Sequence, residues 1–166
     1  MKKSKQTTDQ GPNPHARKTV ASNRKARHEY SIDETYDAGM VLVGTEVKSI
    51  RSGQVNLQDA FCKLENNEVW LHNMHVNPFE HGTHWNAEPR RARKLLLHRK
   101  EIDQLRSRME QKGLALIPLQ LYFQHGFAKL ELGLGRGKKL YDKREDIAKR
   151  DSDREARREL AVSARE

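Results

Sequence analysis

The feature of this sequence that most limits its possible folds is an alternation of apolar residues between Leu114 and Leu134. A period of two is typical of β-strands with one buried face, and the break at Gln124–Gly126 predicts a hairpin turn. The alternating apolar residues are Ile117, Leu119, Leu121 and Phe123 before the turn and Ala128, Leu130, Leu132 and Leu134 after it. The same phase sends Lys129 to the opposite face, where we expect it to be displayed.

A second hairpin and a short apolar run predict further strands. Phe61–Glu65 alternates, and the strand pattern resumes at Val69–Leu71 after Asn66–Asn67. Asparagine tolerates the positive φ angles that a type I′ turn requires. Met40–Val43 is a short apolar run between two glycines, which also favours a strand.

Two segments favour helices beside these strands. In Thr45–Arg51 we expect a short helix with Thr45 as the N-cap and Gly53 just beyond its end. The second helix has an apolar face and is expected to end at Gly113. Its apolar residues are Ile102, Leu105 and Met109.

These elements predict a mainly β fold, an OB-like antiparallel β-barrel with flanking helices, with a mixed α+β sandwich as the alternative. Residues 1–22 are polar and aperiodic, which favours a flexible basic arm. The barrel should then cover residues 23–136, followed by a basic C-terminal tail over 137–166. Asp142–Glu145 resembles a capping box with Asp142 as the cap. Because the tail has no continuous apolar stripe to bury, we expect it to be disordered when free.

Positive charge is concentrated in three blocks of the chain. The formal net charge is +9, and it divides into +7 for residues 1–28, +5 for 88–100 and +3 for 136–166. Residues 29–87 carry −6, and residues 101–135 are neutral. Solubility does not require such clustering, whereas a surface that binds a polyanion does. The distribution therefore favours nucleic acid as the partner.

The side chains in and near these blocks favour RNA. Lys and Arg supply affinity for phosphate, and aromatic rings stack on unpaired bases. The sequence has no zinc-finger, basic-zipper or homeodomain signature, which makes DNA the less favoured partner. The predicted contacts are Arg24, Lys25, Arg27, His28, Arg90, Arg91, Arg93, Lys94, Lys129, Arg136, Lys138 and Lys139, with rings of Phe79, His81, His84 and Trp85 beside the second block.

Little in the sequence points to catalysis, a cofactor or a metal. The P-loop, dinucleotide-binding and G-x-S-x-G motifs are missing. His72 and His75 lie three apart, as do His81 and His84. On a strand, a pair at this spacing would face opposite sides, which disfavours a shared metal ion. We therefore expect a non-enzymatic protein without cofactor or metal.

Cysteine usage and hydropathy indicate the compartment. Cys62 is the single cysteine, which excludes an internal disulfide and favours a reducing cytosol. No apolar run approaches the roughly 20 residues needed to span a bilayer, and the basic N-terminus is not followed by the apolar stretch of a secretory signal. We expect a cytoplasmic protein without a membrane partner.

Several ordered motifs resemble one known family over nearly the whole chain. Asn23–Tyr30 reads NRKARHEY, Gly44–Ser49 reads GTEVKS after the pair Ala38–Gly39, and Arg93–His98 reads RKLLLH. Pro118–Phe123 reads PLQLYF, and Gly137–Glu145 reads GKKLYDKRE. In order and spacing the chain is similar to the SsrA-binding protein (small protein B) family from about Asn23 to the tail.

The resemblance implies a function and a set of site residues. It implies an OB-like barrel that binds the tRNA-like domain of tmRNA, as a monomer in the RNA complex, and delivers it to stalled ribosomes for trans-translation. It adds Asp37 and Leu96 to Lys129 as RNA-binding positions. We also include Asn23, the first residue of the first motif, among the RNA-binding residues. The resemblance also implies that the tail becomes helical in the decoding centre and mRNA path of the ribosome. The tail positions concerned are Tyr141, Asp142, Lys143, Arg144, Lys149 and Arg150.

One motif departs from the family, and two other functions remain open. The family's loop usually reads Asn-His-x-Pro, whereas this chain has Asn86-Ala87-Glu88-Pro89, so a contact by that histidine is not carried over. The first alternative is a general structural or ribosome-associated RNA-binding protein. The second, more remote, is a metal hydrolase that uses the histidine loop.

The first basic block yields a test of the RNA hypothesis. Neutralising Arg24, Lys25 and Arg27 together should flatten the slope of log affinity against log salt by roughly one unit for each phosphate that the variant no longer neutralises. Binding of a tRNA-like RNA across a salt series measures that slope. An unchanged slope in the triple variant would remove this block from the interface.

Overall fold

The computed structural model describes residues 16–163, with all of their side chains except those of Gln111, Lys112 and Ser163. Antiparallel strands dominate, and helices flank them. In chain order the elements are β1 Lys18–Ser22, α1 Ala26–Glu29, β2 Tyr30–Met40, α2 Gly44–Arg51, β3 Val55–Asn56, β4 Phe61–Glu65, β5 Glu68–His72, β6 His75–Val76, a 3₁₀ turn Thr83–Trp85, β7 Arg93–Leu96, α3 Arg99–Lys112, β8 Ala115–Gln124, β9 Phe127–Gly137 and α4 Leu140–Ser163.

Seven of the strands form one antiparallel sheet in the order β1-β8-β9-β2-β7-β5-β4, and β3 pairs with β6. The mainly β class with flanking helices is confirmed. The predicted OB-like barrel is not closed, because β1 and β4 remain at the two ends of the hydrogen-bonded order. β4 lies beside β8 without pairing to it. Part of the β8 edge is already occupied by β1.

The predicted hairpins are present, and one contains a bulge. Asn66 and Asn67 both have positive φ between β4 and β5, as the type I′ turn requires. In the β8–β9 hairpin the pairing shifts between Pro118 and Gln120. Proline cannot donate to the ladder, so a bulge at this position is expected on physical grounds.

The bulge changes which residues of β8 face the main core. Leu121 packs in the main core, whereas Ile117 and Leu119 pack in a separate small cluster with Ala26 of α1. The prediction that all alternating residues of this strand share one face is therefore wrong for Ile117 and Leu119. The return strand is as predicted, and its fully buried residues are Leu130, Leu132 and Leu134.

Ordered structure begins earlier than predicted. β1 runs from Lys18 to Ser22 and pairs with β8, so the expected start near Asn23 is five residues too late. Val20 and Ala21 pack against the main core. These two apolar contacts help to hold residues 18–22 on the sheet, although the composition of this segment favours a flexible arm. Residues 1–15 of the predicted arm lie outside the described part of the chain.

The two predicted helices are present as α2 and α3. α2 starts one residue before Thr45, and its N-cap is Val43, whose N–H donates to the Glu46 carboxylate at 3.1 Å. The expected Thr45 cap is wrong, because Val43 is the residue that precedes the helix and Thr45 lies within the first turn. Gly53 follows α2 with φ +75°, and Gly113 ends α3 with φ +60°, where glycine avoids strain.

The tail is an exposed helix, α4. Asp142 lies in the first turn of α4, so the prediction that it is the N-cap is wrong. Its carboxylate accepts the N–H of Lys139, the residue before the helix, at 3.3 Å. Disorder of the tail in the free protein stays a prediction. None of the helices within residues 16–163 combines the length and apolar composition needed to cross a membrane.

A buried ion-pair network joins α2 to β7. The Glu46 carboxylate accepts from Nε and Nη2 of Arg93, at 2.9 and 2.6 Å, and from Nε and Nη2 of Arg91, at 3.0 and 2.6 Å. Arg93 is fully buried and also donates to the backbone carbonyls of Met74, Arg91 and Pro89. These bonds hold the long loop before β7 against α2.

The Glu46 carboxyl is more acidic in the fold than in a free chain. Burial opposes its ionisation, but hydrogen bonds from Arg91, the Val43 N–H and Arg93 outweigh that effect and lower its pKa below the usual 4.5. Its contribution to stability is therefore present above pH 4.5. That contribution is lost as the pH falls through the lowered value.

Glu46→Gln should destabilise the fold by about 3–5 kcal/mol, because it leaves Arg93 buried without its counter-charge. Denaturant unfolding followed by circular dichroism measures this, with the exposed Glu110→Gln as the matched control. The drop in stability below pH 4.5 should also be smaller in Glu46→Gln than in the parent chain. Equal stability of the two variants would show that the network contributes little.

Candidate RNA-binding surface

Three positions that the family resemblance implies meet in one groove. Asp37 lies on β2, Leu96 ends β7 and Lys129 lies on β9. They converge because Gly39 of β2 pairs with Leu96 on one side and with Lys129 on the other. The groove has a volume of about 360 Å³, and its remaining lining residues are Gly39, Leu97, His98 and Glu101.

The groove has an apolar wall that faces solvent. Leu96, the last residue of β7, is 53% exposed. A Cβ on Gly39 would lie 3.4 Å from the Leu96 Cβ, so the glycine leaves space beside the leucine. An exposed leucine next to such a space can pack against a nucleotide.

Lys129 lies half-buried on the face that the sequence predicted. Its Nζ is 3.5 Å from Oε1 of Gln124, and Phe127, two residues earlier on the same face, is 71% exposed. The ammonium group therefore reaches the surface beside the groove, as a phosphate contact requires.

Asp37 is held by two side chains that the sequence analysis did not single out. The Tyr122 hydroxyl donates to Asp37 Oδ1 at 2.7 Å, and Arg17 Nη2 donates to Oδ2 at 2.7 Å. Burial, followed by the bond to Asp37, raises the pKa of Tyr122, so the phenol remains protonated and donates. The hairpin phase could have identified Tyr122, since it pairs with Lys129. Arg17 lies in the aperiodic segment and carries no such signal.

Most of the described cations of the first basic block are exposed. Arg24, Lys25 and Arg27 lie on the surface between β1 and β2. Asn23 instead serves the fold: its N–H donates to the Leu119 carbonyl at 2.7 Å and its Nδ2 to the Pro118 carbonyl at 3.2 Å. These two hydrogen bonds hold the chain before α1 against the bulge in β8. His28 is half-buried at the end of α1.

Part of the second block is used within the protein, in the network on Glu46 and in a surface ion pair. The prediction that Arg93 contacts RNA is wrong, because its guanidinium is fully buried on Glu46. Arg91 is half-buried on the same carboxylate, and Lys94 is paired with Glu68. Arg90 remains exposed and donates to Asn73 Oδ1 at 2.9 Å. The acidic stretch before this block supplies the counter-charges, which a count by blocks does not reveal.

The third block divides into exposed and structural cations. Arg136 and Lys139 are exposed. Lys138 joins the start of α4 to α1: its N–H donates to the Glu29 carbonyl at 2.7 Å, and its Nζ donates to the Arg27 carbonyl at 3.0 Å and pairs with Asp146. Of the tail candidates, Lys143 is half-buried, and those exposed are Tyr141, Asp142, Arg144, Lys149 and Arg150.

The long loop before β7 is fixed by one asparagine. The Asn86 side chain accepts the Phe79 N–H and donates to the Phe79 carbonyl, both at 3.0 Å, and donates to the Thr83 carbonyl at 3.2 Å. This arrangement displays Trp85, which is 75% exposed with the His84 ring 5.0 Å away. The loop lies outside the groove.

The histidine pairs have other partners. His72 stacks on Phe61 at 5.3 Å, and His75 Nε2 lies 2.9 Å from Asn77 Oδ1. In the part of the chain that the structure describes, no three or more His, Cys, Asp or Glu side chains group as they would to hold a metal ion. Cys62 is buried, and burial raises the pKa of its thiol.

Lys129→Ala tests the groove. The fold should remain intact and be destabilised by about 1 kcal/mol or less, because the side chain is only half-buried. Affinity for a tRNA-like RNA should fall, and the salt slope should decrease by about one unit because one fewer phosphate is neutralised. The control is Lys63→Ala, an exposed lysine on β4. A variant that unfolds but binds RNA normally at low temperature would make Lys129 a structural residue.

Comparison with known proteins gives the family. The family model described as "SmpB protein" matches residues 20–162. An SsrA-binding protein of Desulforudis audaxviator (strain MP104C) is 61% identical over 148 residues, covering 89% of this chain and 94% of that protein. One from Carboxydothermus hydrogenoformans is 57% identical over 143 residues, covering 86% and 96%.

A solved structure supports the same assignment. A chain described as "tmRNA-SmpB: a journey to the center of the bacterial ribosome" superposes with a TM-score of 0.60 and 51% identity, covering 72% of this chain and 85% of that one. The sequence match spans most of both proteins, and the fold agrees. This chain belongs to the SmpB protein family.

Proposed function

We propose that this chain binds the tRNA-like domain of tmRNA and delivers it to stalled ribosomes for trans-translation. The observation that carries the proposal is the convergence of Asp37, Leu96 and Lys129 in one groove. These three positions are far apart in sequence, and the family resemblance implies them independently of their geometry. The names of the relatives, SsrA-binding protein, and the description of the solved structure support the same partner.

The groove offers two direct contacts to RNA and one indirect contribution. The Lys129 ammonium binds a phosphate, and Leu96 packs against an exposed nucleotide. Each Asp37 oxygen accepts one hydrogen bond, from Tyr122 or from Arg17, and we assign Asp37 an indirect role through these neighbours. Phosphate contacts outside the groove come from Arg24, Lys25, Arg27 and Arg136. Binding of this kind needs no catalytic group and no cofactor.

We assign the ribosomal contacts to α4. Tyr141 is 68% exposed at the root of the helix, where its ring can stack on an unpaired base of the decoding centre. The cations along the helix can meet ribosomal phosphates in the mRNA path. They are Lys143, Arg144, Lys149, Arg150, Arg154, Arg157 and Arg158.

The remaining features of the proposal follow from these two surfaces. We propose an OB-like, partly open barrel that begins at β1 and runs to residue 136 as the RNA-binding unit, and residues 137–166 as the ribosome-binding tail. One chain acts as a monomer in the RNA complex. A partner on the bacterial ribosome places its activity in the cytoplasm.

Truncation separates the two functions. Because Lys138 bonds to α1, the chain should be stopped after Lys139, which keeps that contact. The truncated protein should bind the tRNA-like domain with nearly normal affinity in the presence of excess bulk tRNA. It should fail to support peptide transfer to tmRNA on a stalled ribosome, measured in a reconstituted translation reaction.

A full-length variant controls for the missing helix. Lys143, Arg144, Lys149 and Arg150 changed together to Gln should reproduce the defect with the chain length unchanged. Full rescue activity of the truncated chain would contradict the role of the tail. A preference for bulk tRNA over tmRNA by the parent chain would instead support a general RNA-binding protein.

A further inference from the structure

Arg17 lies beside the groove, in contact with the lining residue Asp37, and the proposed function leaves its role unexplained. It precedes β1, and its side chain reaches across to β2 and β8. Nη2 donates to Asp37 Oδ2 at 2.7 Å, and Nη1 lies 3.9 Å from Glu131 Oε1. The central guanidinium carbon lies over the Tyr122 ring, 4.7 Å from its centroid.

The local charge argues against a simple phosphate site at Arg17. One guanidinium lies within 4 Å of two carboxylates, those of Asp37 and Glu131. A phosphate approaching this position would meet two nearby anions as well as one cation. Lys129, whose ammonium lies beside the neutral amide of Gln124, is the better phosphate ligand.

The shape and exposure of the site favour a different ligand. Tyr122 is fully buried beneath Arg17, whereas the Arg17 side chain is 43% exposed. The guanidinium therefore has a buried ring beneath it, on a side chain that remains partly open to solvent. A planar guanidinium fixed in this way is a stacking surface for an unpaired base.

We propose that Arg17 stacks on an unpaired nucleobase of the bound RNA and that Asp37 is a positioning residue that holds the guanidinium for this contact. The inference rests on the proposed function, which it deepens. It explains why a carboxylate lines an RNA-binding groove: Asp37 fixes Arg17, while Tyr122 supports the guanidinium from below. Tyr122 pairs with Lys129 across the β8–β9 hairpin, so the stacked base lies next to the phosphate contact.

The experiment compares four variants by their affinity for the isolated tRNA-like domain over a salt series. Arg17→Gln removes the cation and the stack, whereas Arg17→Lys keeps the charge and removes the planar group. Asp37→Asn releases Arg17 while preserving the size of the side chain, and the double variant Arg17→Gln/Asp37→Asn measures the coupling. Lys18→Gln is the matched control, since Lys18 is the adjacent exposed cation. Thermal melts confirm that each variant is folded.

The expected results distinguish stacking from charge. Arg17→Gln should weaken binding about tenfold, within the range for removal of one base stack, with an unchanged salt slope. Arg17→Lys should remain as weak as Arg17→Gln. Asp37→Asn should weaken binding several-fold in the parent chain and add nothing in the Arg17→Gln background. Lys18→Gln should bind like the parent.

Other outcomes would overturn the proposal. Normal affinity of Arg17→Gln would exclude the contact. Recovery of affinity in Arg17→Lys, or a salt slope reduced by about one unit in Arg17→Gln, would identify a phosphate contact instead. Additive effects in the double variant would mean that Asp37 touches the RNA itself. A parent chain that does not bind the tRNA-like domain would refute the proposed function, a result that the variants cannot mimic.

Discussion

Pairing of β2 on both of its edges is the constraint on which the groove depends. This strand hydrogen-bonds to β9 along most of its length and to β7 at Gly39 and Met40. Gly39 thereby brings Leu96 and Lys129, 33 residues apart in the chain, to either side of one position. A one-residue slip of either neighbour would turn its side chain to the opposite face and dismantle the site. The sheet register is thus a requirement for binding as well as for folding.

Local sequence signals predicted the turns and helix ends well where asparagine or glycine allows the backbone a positive φ angle. The positive φ angles of Asn66 and Asn67 and the glycine at position 113 follow from short-range chemistry. The display of Lys129 follows from the strand period alone. The resemblance to a family then supplied Asp37 and Leu96, whose roles no periodicity indicates.

The remaining features depend on partners distant in sequence. The bulge after Pro118 becomes visible only once β9 is paired, and it reverses the facing of Ile117 and Leu119. Arg93 looked like part of a basic surface because Glu46, its buried partner, lies 47 residues earlier. Lys94 is likewise paired with Glu68, and Lys138 with Asp146. Clustered charge therefore overstates the cations available to RNA, and the exposed set is smaller than the sequence suggests.

Lys138 attaches the start of the C-terminal helix α4 to α1, so the direction of the helix depends on the position of α1. α4 has 24 residues and so extends about 36 Å. A rotation of about 10° at this attachment would move the far end by about 6 Å at that length. Lys138 bonds to the carbonyls of Arg27 and Glu29, in the same segment as the first exposed basic block. A small shift of that segment when RNA binds would therefore be amplified into a change in where the helix tip points.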